Sequence, residues 1–489
     1  MLFPLEILAK TQSKCGLLGE ICEKSLKLAE NYPEILTSIA SDQDRFGIEK
    51  KRQRYLEKNA LFEEEETLVS VKQADRITSL SCGRPRMSER ALLIYLTLRG
   101  ELGEFTSRHN YERLRDSIDL NRVLLLIGEK KLHGKNTIDD NLRAVSVDTL
   151  NLIHQCTLNE VLKQQLDDFS CMCIDSTSIR ANAAIPVDRN NLIRSLSSTF
   201  DMGQKLQRFG IDNFNRWYLP KWIDEIRMNN FEYINTKKDP KKRQKLMDCI
   251  LYRAEQIWDY MCRQLDAAER RLTDLPARLK VSLKKYLDKI ADRLVFANEL
   301  LDWMFQENAG SEKEVTRPFS YSDKDARNIF KGGRDTVFGY KPFFSRSKNG
   351  FIGAVMLEKG VTADNYALTH VIDDWVKNTG TVPKELITDD GFTSADNYIE
   401  AKKTGIEKIC FSGAKGRKVT PVAEWESDWH KKARKDRSSV EALIGLMKNY
   451  YKLKALTRRG LKEARKEILE RIIVYNLVRM DAVNQRLAA

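Results

Sequence analysis

Two strand-rich blocks lie far apart in this chain of 489 residues, and a long helical stretch separates them. The blocks span about 166–195 and 318–412, where short apolar runs are bounded by turn-forming residues. Residues 196–317 instead follow a helical pattern with many charged positions. One hydrophobic core usually stops growing at ~250–300 residues, so more than one domain is expected. The pattern predicts one discontinuous α/β domain interrupted by a helical insertion, with an all-α region before it.

The segments outside the strand-rich blocks are predicted to be helical. The first 80 residues are highly charged and include Glu63–Glu66, which is typical of a solvated arm. Two apolar stretches after Gly83-Arg84-Pro85 predict a small helical module, with DNA as a candidate partner. The predicted domains are 1–80 as the arm, 81–165 as the helical module, 166–195 with 318–455 as the α/β domain, 196–317 as the insertion and 456–489 as a C-terminal helix.

Three further strands are predicted in the second block. Thr336–Phe344 and Gly350–Leu357 are rich in apolar residues, and the Asn349-Gly350 pair between them is a strong signal for a hairpin turn. Glu385–Thr388 is a short apolar strand that runs into polar residues. These strands would complete a sheet with the strand of the first block.

Positive charge is concentrated near the C-terminus. The chain carries 83 Lys and Arg against 70 Asp and Glu, a net charge of +13. Residues 408–466 alone hold 17 Lys and Arg against 6 Asp and Glu, which accounts for most of this excess. Such a footprint is typical of a nucleic-acid surface, although a solvated charged loop is the alternative. The candidate contacts are Lys415, Arg417, Lys418, Lys431, Lys432, Arg434 and Lys435.

The cysteines and apolar runs exclude several other classes of protein. Nine scattered cysteines form no disulfide framework, and no Cys or His spacing typical of zinc is present. The longest apolar run, Ala91–Leu96, is far shorter than the ~18 residues of a membrane helix. The opening residues lack the features of a secretory signal. We therefore expect a cytoplasmic protein with no membrane partner.

Carboxylates follow two of the predicted strands. Asp175 ends the predicted strand Phe169–Asp175, and Asp389 and Asp390 follow Glu385–Thr388. Ligand sites in α/β sheets gather at such strand ends, and Mg²⁺ prefers carboxylate oxygens. The alternative for each of these residues is a cap or turn, and spacing alone leaves Asp389 and Asp390 as competing candidates.

A third carboxylate, Glu441, lies at the start of a helix predicted from Ser438 onward, with few breaks besides Gly460. At 100° per residue, Arg437, Glu441 and Lys448 share one face, where a carboxylate could hold a metal while the cations bind phosphates. The alternative is a capping box between Ser438 and Glu441, and the two roles are compatible. The apolar stripe of this helix is Val440, Leu443, Ile444 and Met447.

Taken in order, these motifs resemble the DDE transposases of bacterial insertion sequences, in the branch with the Y-(2)-R-(3)-E-(6)-K signature. Arg437, Glu441 and Lys448 match its spacing, whereas Arg434 stands at the position of the signature tyrosine. The segment 389–392 is similar to the D-x-G-[YF] motif, which selects Asp389 over Asp390.

Four other segments extend the resemblance over roughly residues 81–485. Residues 173–183 are similar to the first-aspartate strand of the family, and 322–327 and 338–341 to segments around its second strand. Gly83-Arg84-Pro85 and the apolar helices after it are similar to the N-terminal helical module of the family. The resemblance implies a ribonuclease H-like fold in which Asp175, Asp389 and Glu441 hold two Mg²⁺ or Mn²⁺ ions. It also implies that Arg437 and Lys448 contact the DNA backbone, with Tyr340 and Lys341 as further DNA candidates.

The activity implied by this resemblance is the cleavage of insertion-sequence ends and the joining of their 3′-hydroxyl groups to target DNA. The expected partners are double-stranded DNA, as element ends and target, and a second copy of the chain in a dimer on paired ends. The expected location is the bacterial cytoplasm, at the nucleoid. Two alternatives remain, a structure-selective nuclease without joining activity and a DNA-binding protein with a decayed catalytic site.

Overall fold

In the computed structural model, the chain forms two compact units. The first comprises Met1–Gly47, Leu80–Asn182 and Asp325–Ala489, and the second comprises Ile48–Ser79 and Ala183–Lys324. Glu63–Glu66 and Gly83-Arg84-Pro85 lie outside the described residues, which are 17–59, 74–75, 77, 86–104, 108–211, 214, 218–274, 277–311, 315–330, 336–358 and 360–488.

Helices precede the first strand. They are α1 (Leu17–Asn31), α2 (Glu34–Asn59), α3 (Glu89–Leu102), α4 (Arg108–Arg115), α5 (Ile118–Leu126), α6 (Lys135–Ala144) and α7 (Val147–Lys163). Several begin where a serine side chain accepts a hydrogen bond from the first turn, as Ser88 does for α3 and Ser146 for α7. The buried residues of α3 and α7 belong to the same hydrophobic core as the sheet. The boundary that the sequence predicts near residue 165 stays a prediction.

A five-stranded mixed sheet forms the centre of the first unit. Its strand order is β6-β5-β1-β7-β8, in which β1, β7 and β8 are parallel and β5 and β6 are antiparallel to their neighbours. A smaller sheet has the order β2-β4-β3. The strands are β1 (Cys171–Ser176), β2 (Ile179–Arg180), β3 (Arg327–Ile329), β4 (Val337–Tyr340), β5 (Phe343–Ser347), β6 (Ile352–Met356), β7 (Glu385–Thr388) and β8 (Lys408–Phe411).

The strand predictions are confirmed in part. β7 has the predicted bounds, and the turn at Gly350, with a φ of 94°, joins β5 to β6 as predicted. The single strand predicted over Thr336–Phe344 is wrong, because β4 ends before Lys341-Pro342 and β5 belongs to the other sheet. Proline has no N–H group to donate to a ladder, which explains the break at this position.

Side chains from flanking helices cover the outer edge of β6. The amide of Asn476 exchanges two hydrogen bonds of 3.0 Å with the backbone of Ile352, whose carbonyl also lies 2.9 Å from His154 Nε2. The Val355 N–H donates to Asp374 Oδ2 at 3.0 Å. An exposed edge strand would offer these groups to another chain, so the helices prevent unwanted strand pairing here.

The later helices of the first unit pack around the sheet. They are α12 (Asp364–Thr379), α13 (Ala395–Lys403), α14 (Ala414–Val419), α15 (Val422–Trp425), α16 (Asp428–Asp436), α17 (Ser438–Asn449) and α18 (Leu461–Ala488). The tail predicted to be helical from Ser438 is interrupted over 450–460, a longer break than Gly460 alone suggests. The reason is backbone pairing, since Arg180 exchanges hydrogen bonds with Lys454 and Leu456.

A buried ionic network fixes the segment before α18. Glu470 lies between two guanidinium groups, at 2.6 Å from Arg99 Nη2 and 2.5 Å from Arg458 Nη2. Burial by itself raises the pKa of Glu470, but the two arginines outweigh it and lower this pKa to about 2. The network ties α3, α18 and the 450–460 segment together.

The second unit is built from long helices. They are α8 (Asp188–Gln204), α9 (Tyr218–Asn235), α10 (Pro240–Arg270) and α11 (Ala277–Ala309). They enclose a hydrophobic core of their own, to which the centre of each helix contributes residues such as Leu196, Ile226, Ile257 and Leu300. Among the described helices, none has an apolar stretch that would span a bilayer. The mixed sheet with its many helices fits the ribonuclease H-like architecture that the resemblance implies.

Candidate active site

Asp175 and Asp389 lie at the carboxyl ends of two adjacent parallel strands. Asp175 is the penultimate residue of β1, and Asp389 directly follows β7. Cys173 pairs with Ile387 in this ladder, and the same register continued for two residues sets Asp389 beside Asp175. Neighbouring strands are ~4.8 Å apart, and residues two apart share a face. From this register we expect the backbone positions of Asp175 and Asp389 to be neighbours at the strand ends.

Glu441 reaches this face through α17. The predicted stripe of Val440, Leu443, Ile444 and Met447 is buried, which confirms this prediction, and α17 contacts both β1 and β5. Arg437 lies between two of the acids, with Nη2 at 2.5 Å from Glu441 Oε1 and Nη1 at 3.9 Å from Asp175 Oδ2. One guanidinium group thus spans the gap between the carboxylates of the sheet and the helix.

The capping box between Ser438 and Glu441 is not formed. Arg437 has helical backbone angles (φ −52°, ψ −36°) and both ends α16 and precedes α17, so the two helices are nearly continuous. The Ser438 hydroxyl donates to the carbonyl of Lys435 at 2.9 Å instead of accepting from α17. Because the preceding turn is already helical, α17 has no open N-terminus of the kind that a capping box serves. Glu441 is 51% exposed and its partner is Arg437.

The Asp390 carboxylate binds the backbone at the start of α14. Its two carboxylate oxygens accept hydrogen bonds from the backbone N–H groups of Lys415 (3.0 Å) and Gly416 (2.9 Å), at the start of α14. Partial burial raises the pKa of Asp390, but these hydrogen bonds outweigh it, and the pKa lies below the usual range. Asp389 accepts from the N–H of Gly391 at 2.9 Å and begins a short 3₁₀ turn over Asp390–Phe392.

A second ion pair lies next to Asp389. Lys341 Nζ is 3.0 Å from Asp364 Oδ1 and 3.1 Å from the carbonyl oxygen of Thr362, and its side chain is only 10% exposed. A Cβ atom at Gly391 would lie 2.9 Å from Asp364 Oδ2 and 3.1 Å from Asp389 Oδ1, so this glycine allows the two acids to approach. Asp364 was not a sequence candidate, because a single aspartate at a helix start carries no specific signal.

The other predicted DNA contacts differ in exposure. Tyr340 is fully buried, and Lys341 is engaged with Asp364, so neither presents its polar group on an open surface. Lys448 is half-buried on α17. Arg434 lies 4.4 Å from the centre of the Trp425 ring, in a cation–π contact. The exposed members of the basic set are Lys415, Arg417 and Lys418 on α14 and Lys431, Lys432 and Lys435 on α16.

A cavity of about 520 Å³ lies on the same face of the sheet, toward the other end of β1. Cys171, Cys173, Arg346 and Lys432 are among its lining residues. Burial raises the pKa of the Cys171 thiol to about 12 and raises that of Cys173 as well, so both remain protonated at neutral pH. Among the described residues, no metal-binding cluster includes these cysteines, and burial of Cys173 between its neighbours is typical of packing in the sheet.

The donor chemistry of the site suits a hard divalent ion. Asp175, Asp389 and Glu441 offer only carboxylate oxygens, the ligands that Mg²⁺ and Mn²⁺ prefer. Within the described ranges, no group of three His, Cys, Asp or Glu side chains is close enough to hold one ion together. The Arg437 guanidinium lies where Glu441 would otherwise approach Asp175. The oxygen donors of Asp175, Asp389 and Glu441 fit a divalent metal ion in their chemistry.

Comparison with known proteins finds a family match to part of the chain. No curated protein and no solved structure matches the chain. Residues 300–477 match the family described as Transposase DDE domain, and this segment contains Asp389, Arg437 and Glu441 but begins after Asp175. The match supports a DDE transposase, and with it a metal-dependent enzyme that acts on DNA.

Proposed function

We propose that this protein is the transposase of a bacterial insertion sequence, in the branch with the YREK signature. In this proposal it cleaves the ends of the element and joins their 3′-hydroxyl groups to target DNA. The single observation that carries the proposal is the parallel ladder between β1 and β7, since its register, continued for two residues, would bring Asp389 next to Asp175 at the strand ends. Glu441 forms an ion pair with Arg437, whose guanidinium group also approaches Asp175.

Each acidic residue has a defined part in this mechanism. Asp175 and Asp389 hold the metal centre from the rigid sheet, and Glu441 completes it from α17. Two Mg²⁺ or Mn²⁺ ions held by these residues would supply charge stabilisation for the scissile phosphate and for the attacking and leaving oxygens. The three carboxylates would hold this centre at the strand ends, and water and later a 3′-hydroxyl group would be the nucleophiles. The reaction needs no covalent bond between the protein and DNA.

The cations around the site are assigned to the DNA backbone. Arg437 and Lys448 would hold phosphates next to the scissile bond. The exposed lysines and arginines of α14 and α16 would add affinity that falls as the salt concentration rises. Because its first N–H groups bind Asp390, the residue after Asp389, α14 begins near the proposed metal centre. Two ends require two active sites, so we propose a homodimer that acts on the bacterial chromosome.

A strand-transfer assay tests this function. The purified full-length chain would be incubated with a labelled end of the element, a supercoiled plasmid and Mg²⁺ or Mn²⁺. Joining of the label to the plasmid supports a transposase. Cleavage without joining would instead indicate a nuclease, and binding to the ends with neither reaction would indicate a decayed enzyme.

Glu441→Gln is the most informative variant in this assay. Glutamine keeps the size of the side chain but removes the anionic ligand, so cleavage and joining should both be lost. Glu426→Gln is a matched control, because Glu426 is exposed and lies just before α16. Full strand transfer by the Glu441→Gln protein would reject the assignment of Glu441.

A further inference from the structure

We propose that Arg437 is an internal counter-ion that competes with divalent metal for Asp175 and Glu441. In this proposal, metal binding displaces the guanidinium group, which then becomes available to a DNA phosphate. The inference rests on the proposed function, since it concerns the same three acids. It differs in that it concerns the affinity of the protein for metal before DNA binds.

The contacts of Arg437 carry this inference. Its two terminal nitrogens contact different carboxylates, Glu441 on its own helix and Asp175 on the sheet. The shorter contact, 2.5 Å to Glu441 Oε1, uses an oxygen that would otherwise be available as a ligand. A cation between two acids lowers their mutual repulsion, and a divalent ion would do the same. The guanidinium group and a metal ion shared by these acids therefore exclude each other.

The backbone around Arg437 restricts how the exchange takes place. The Arg437 N–H donates to the carbonyl of Ala433 at 3.1 Å, and the Arg437 carbonyl accepts from the N–H of Val440 at 3.2 Å. These hydrogen bonds hold the residue within the nearly continuous α16–α17 segment, so the backbone does not need to move. The side chain is 26% exposed, and rotation about its bonds is sufficient to withdraw the guanidinium group toward solvent.

The consequence is a coupling between metal and DNA. Loading the metal frees a positive charge at the edge of the site, and a phosphate that binds this charge prevents its return to the acids. By reciprocity, each ligand then strengthens the binding of the other. Before DNA arrives, the guanidinium keeps the affinity for metal low.

Binding of Mn²⁺ to the full-length protein without DNA tests this directly. The affinity is measured by titration calorimetry and by the electron paramagnetic resonance of free Mn²⁺. Arg437→Gln should bind Mn²⁺ about fivefold more tightly or better, because a competing cation is removed. Arg437→Lys should lie between this variant and the native protein, since a single ammonium group cannot contact both carboxylates in the same way.

The control must remove one positive charge elsewhere in the same unit. Lys384→Gln does so at the opposite end of β7, where the side chain is exposed. Its Mn²⁺ affinity should stay within about twofold of the native value, because the distance exceeds the screening length. Equal effects of Lys384→Gln and Arg437→Gln would overturn the proposal, as would unchanged or weaker Mn²⁺ binding by Arg437→Gln.

The acidic residues separate this inference from the proposed function. If Asp175→Asn and Glu441→Gln abolish Mn²⁺ binding while Arg437→Gln fails to tighten it, the metal site stands and only the competition is rejected. If the native protein binds Mn²⁺ no better than the two acid variants, both proposals fail.

Discussion

Asp389 and Asp390 are consecutive in the chain, but their carboxylates face different structural elements. Asp390 accepts hydrogen bonds from the first N–H groups of α14, whereas Asp389 lies at the end of β7, beside the position of Asp175. The resemblance alone selects Asp389 for the metal centre. The hydrogen bonds of Asp390 supply an independent reason, because both of its oxygens are already in use.

The variants Asp389→Asn and Asp390→Asn should therefore lose different properties, the first its activity and the second part of its stability. Asp389→Asn is expected to lower the rate of end cleavage by about 100-fold or more with little change in stability. Asp390→Asn should keep most of its activity but lose about 1 kcal/mol in the free energy of unfolding, because an amide has one acceptor oxygen and cannot accept from both the Lys415 and the Gly416 N–H groups. Single-turnover cleavage and urea unfolding measure the two effects. Loss of cleavage only in Asp390→Asn would reverse the assignment.

Asp390 packs against Gly413, where there is no space for a side chain. A Cβ atom at this position would lie 2.3 Å from Asp390 Cγ and 2.4 Å from its Cβ, so Gly413→Ala should displace the carboxylate. We expect a loss of about 1–3 kcal/mol in the free energy of unfolding, as for overpacking in a core.

Gly445→Ala is the matched control for Gly413→Ala. Gly445 lies inside α17, and nothing would be within 4 Å of its added Cβ atom. Alanine in a helix is favoured over glycine by about 1 kcal/mol, so this variant should be more stable than the native protein. Denaturant unfolding of both variants in parallel gives the change in the free energy of unfolding for each. A Gly413→Ala protein as stable as the native protein would contradict the close contact.

The sequence predicts those parts of the site that depend on local pattern. The apolar stripe of α17 and the strand Glu385–Thr388 follow from periodicity, and both are confirmed. The capping box was a local pattern as well, but it failed because the continuity of α16 into α17 depends on the backbone of Arg437. Capping signals describe an isolated helix, and they do not reveal that the preceding residues are already helical.

Contacts between distant segments could not be predicted in this way. The bridge from Arg437 to Asp175 joins residues of a helix and a strand that are more than 250 positions apart. The approach of Asp364 to Asp389 depends on a glycine between them and on how α12 is packed. Neither residue type nor spacing specifies such contacts, so the resemblance supplied the set of acids and the structure supplied their surroundings.

The pair of Lys341 and Asp364 distinguishes a structural role from a role in DNA binding. Lys341→Met should destabilise the protein by about 1–3 kcal/mol, because it leaves a partly buried carboxylate without its cation. Adding Asp364→Asn should recover part of this loss, with a coupling energy of about 1 kcal/mol in a double-mutant cycle. Urea unfolding of the four proteins gives the cycle.

DNA affinity of the same four proteins tests the other interpretation of Lys341. If the lysine acts only through Asp364, the double variant should bind an end fragment as well as the native protein does. A contact between Lys341 and a phosphate would instead lower the affinity equally in Lys341→Met and in the double variant. It would also lower the salt dependence of binding.

His154 should make the stability of the first unit depend on pH. It is fully buried, its Nε2 lies 2.9 Å from the carbonyl oxygen of Ile352, and burial lowers its pKa from 6.5 to about 4. As the pH falls below 6.5, the unfolded chain therefore takes up a proton before the folded protein does. The contribution of His154 to stability is complete above this pH and declines as the pH falls toward 4, by about 3 kcal/mol in total.

Replacement of this histidine should remove that part of the pH dependence. His154→Gln keeps an N–H donor for the Ile352 carbonyl but does not titrate, so its free energy of unfolding should fall less steeply than that of the native protein between pH 6.5 and pH 4. His109→Gln, at an exposed position on α4, should leave the slope unchanged. Urea unfolding at intervals across this range gives both slopes, and equal slopes for His154→Gln and the native protein would show that His154 is not held neutral by burial.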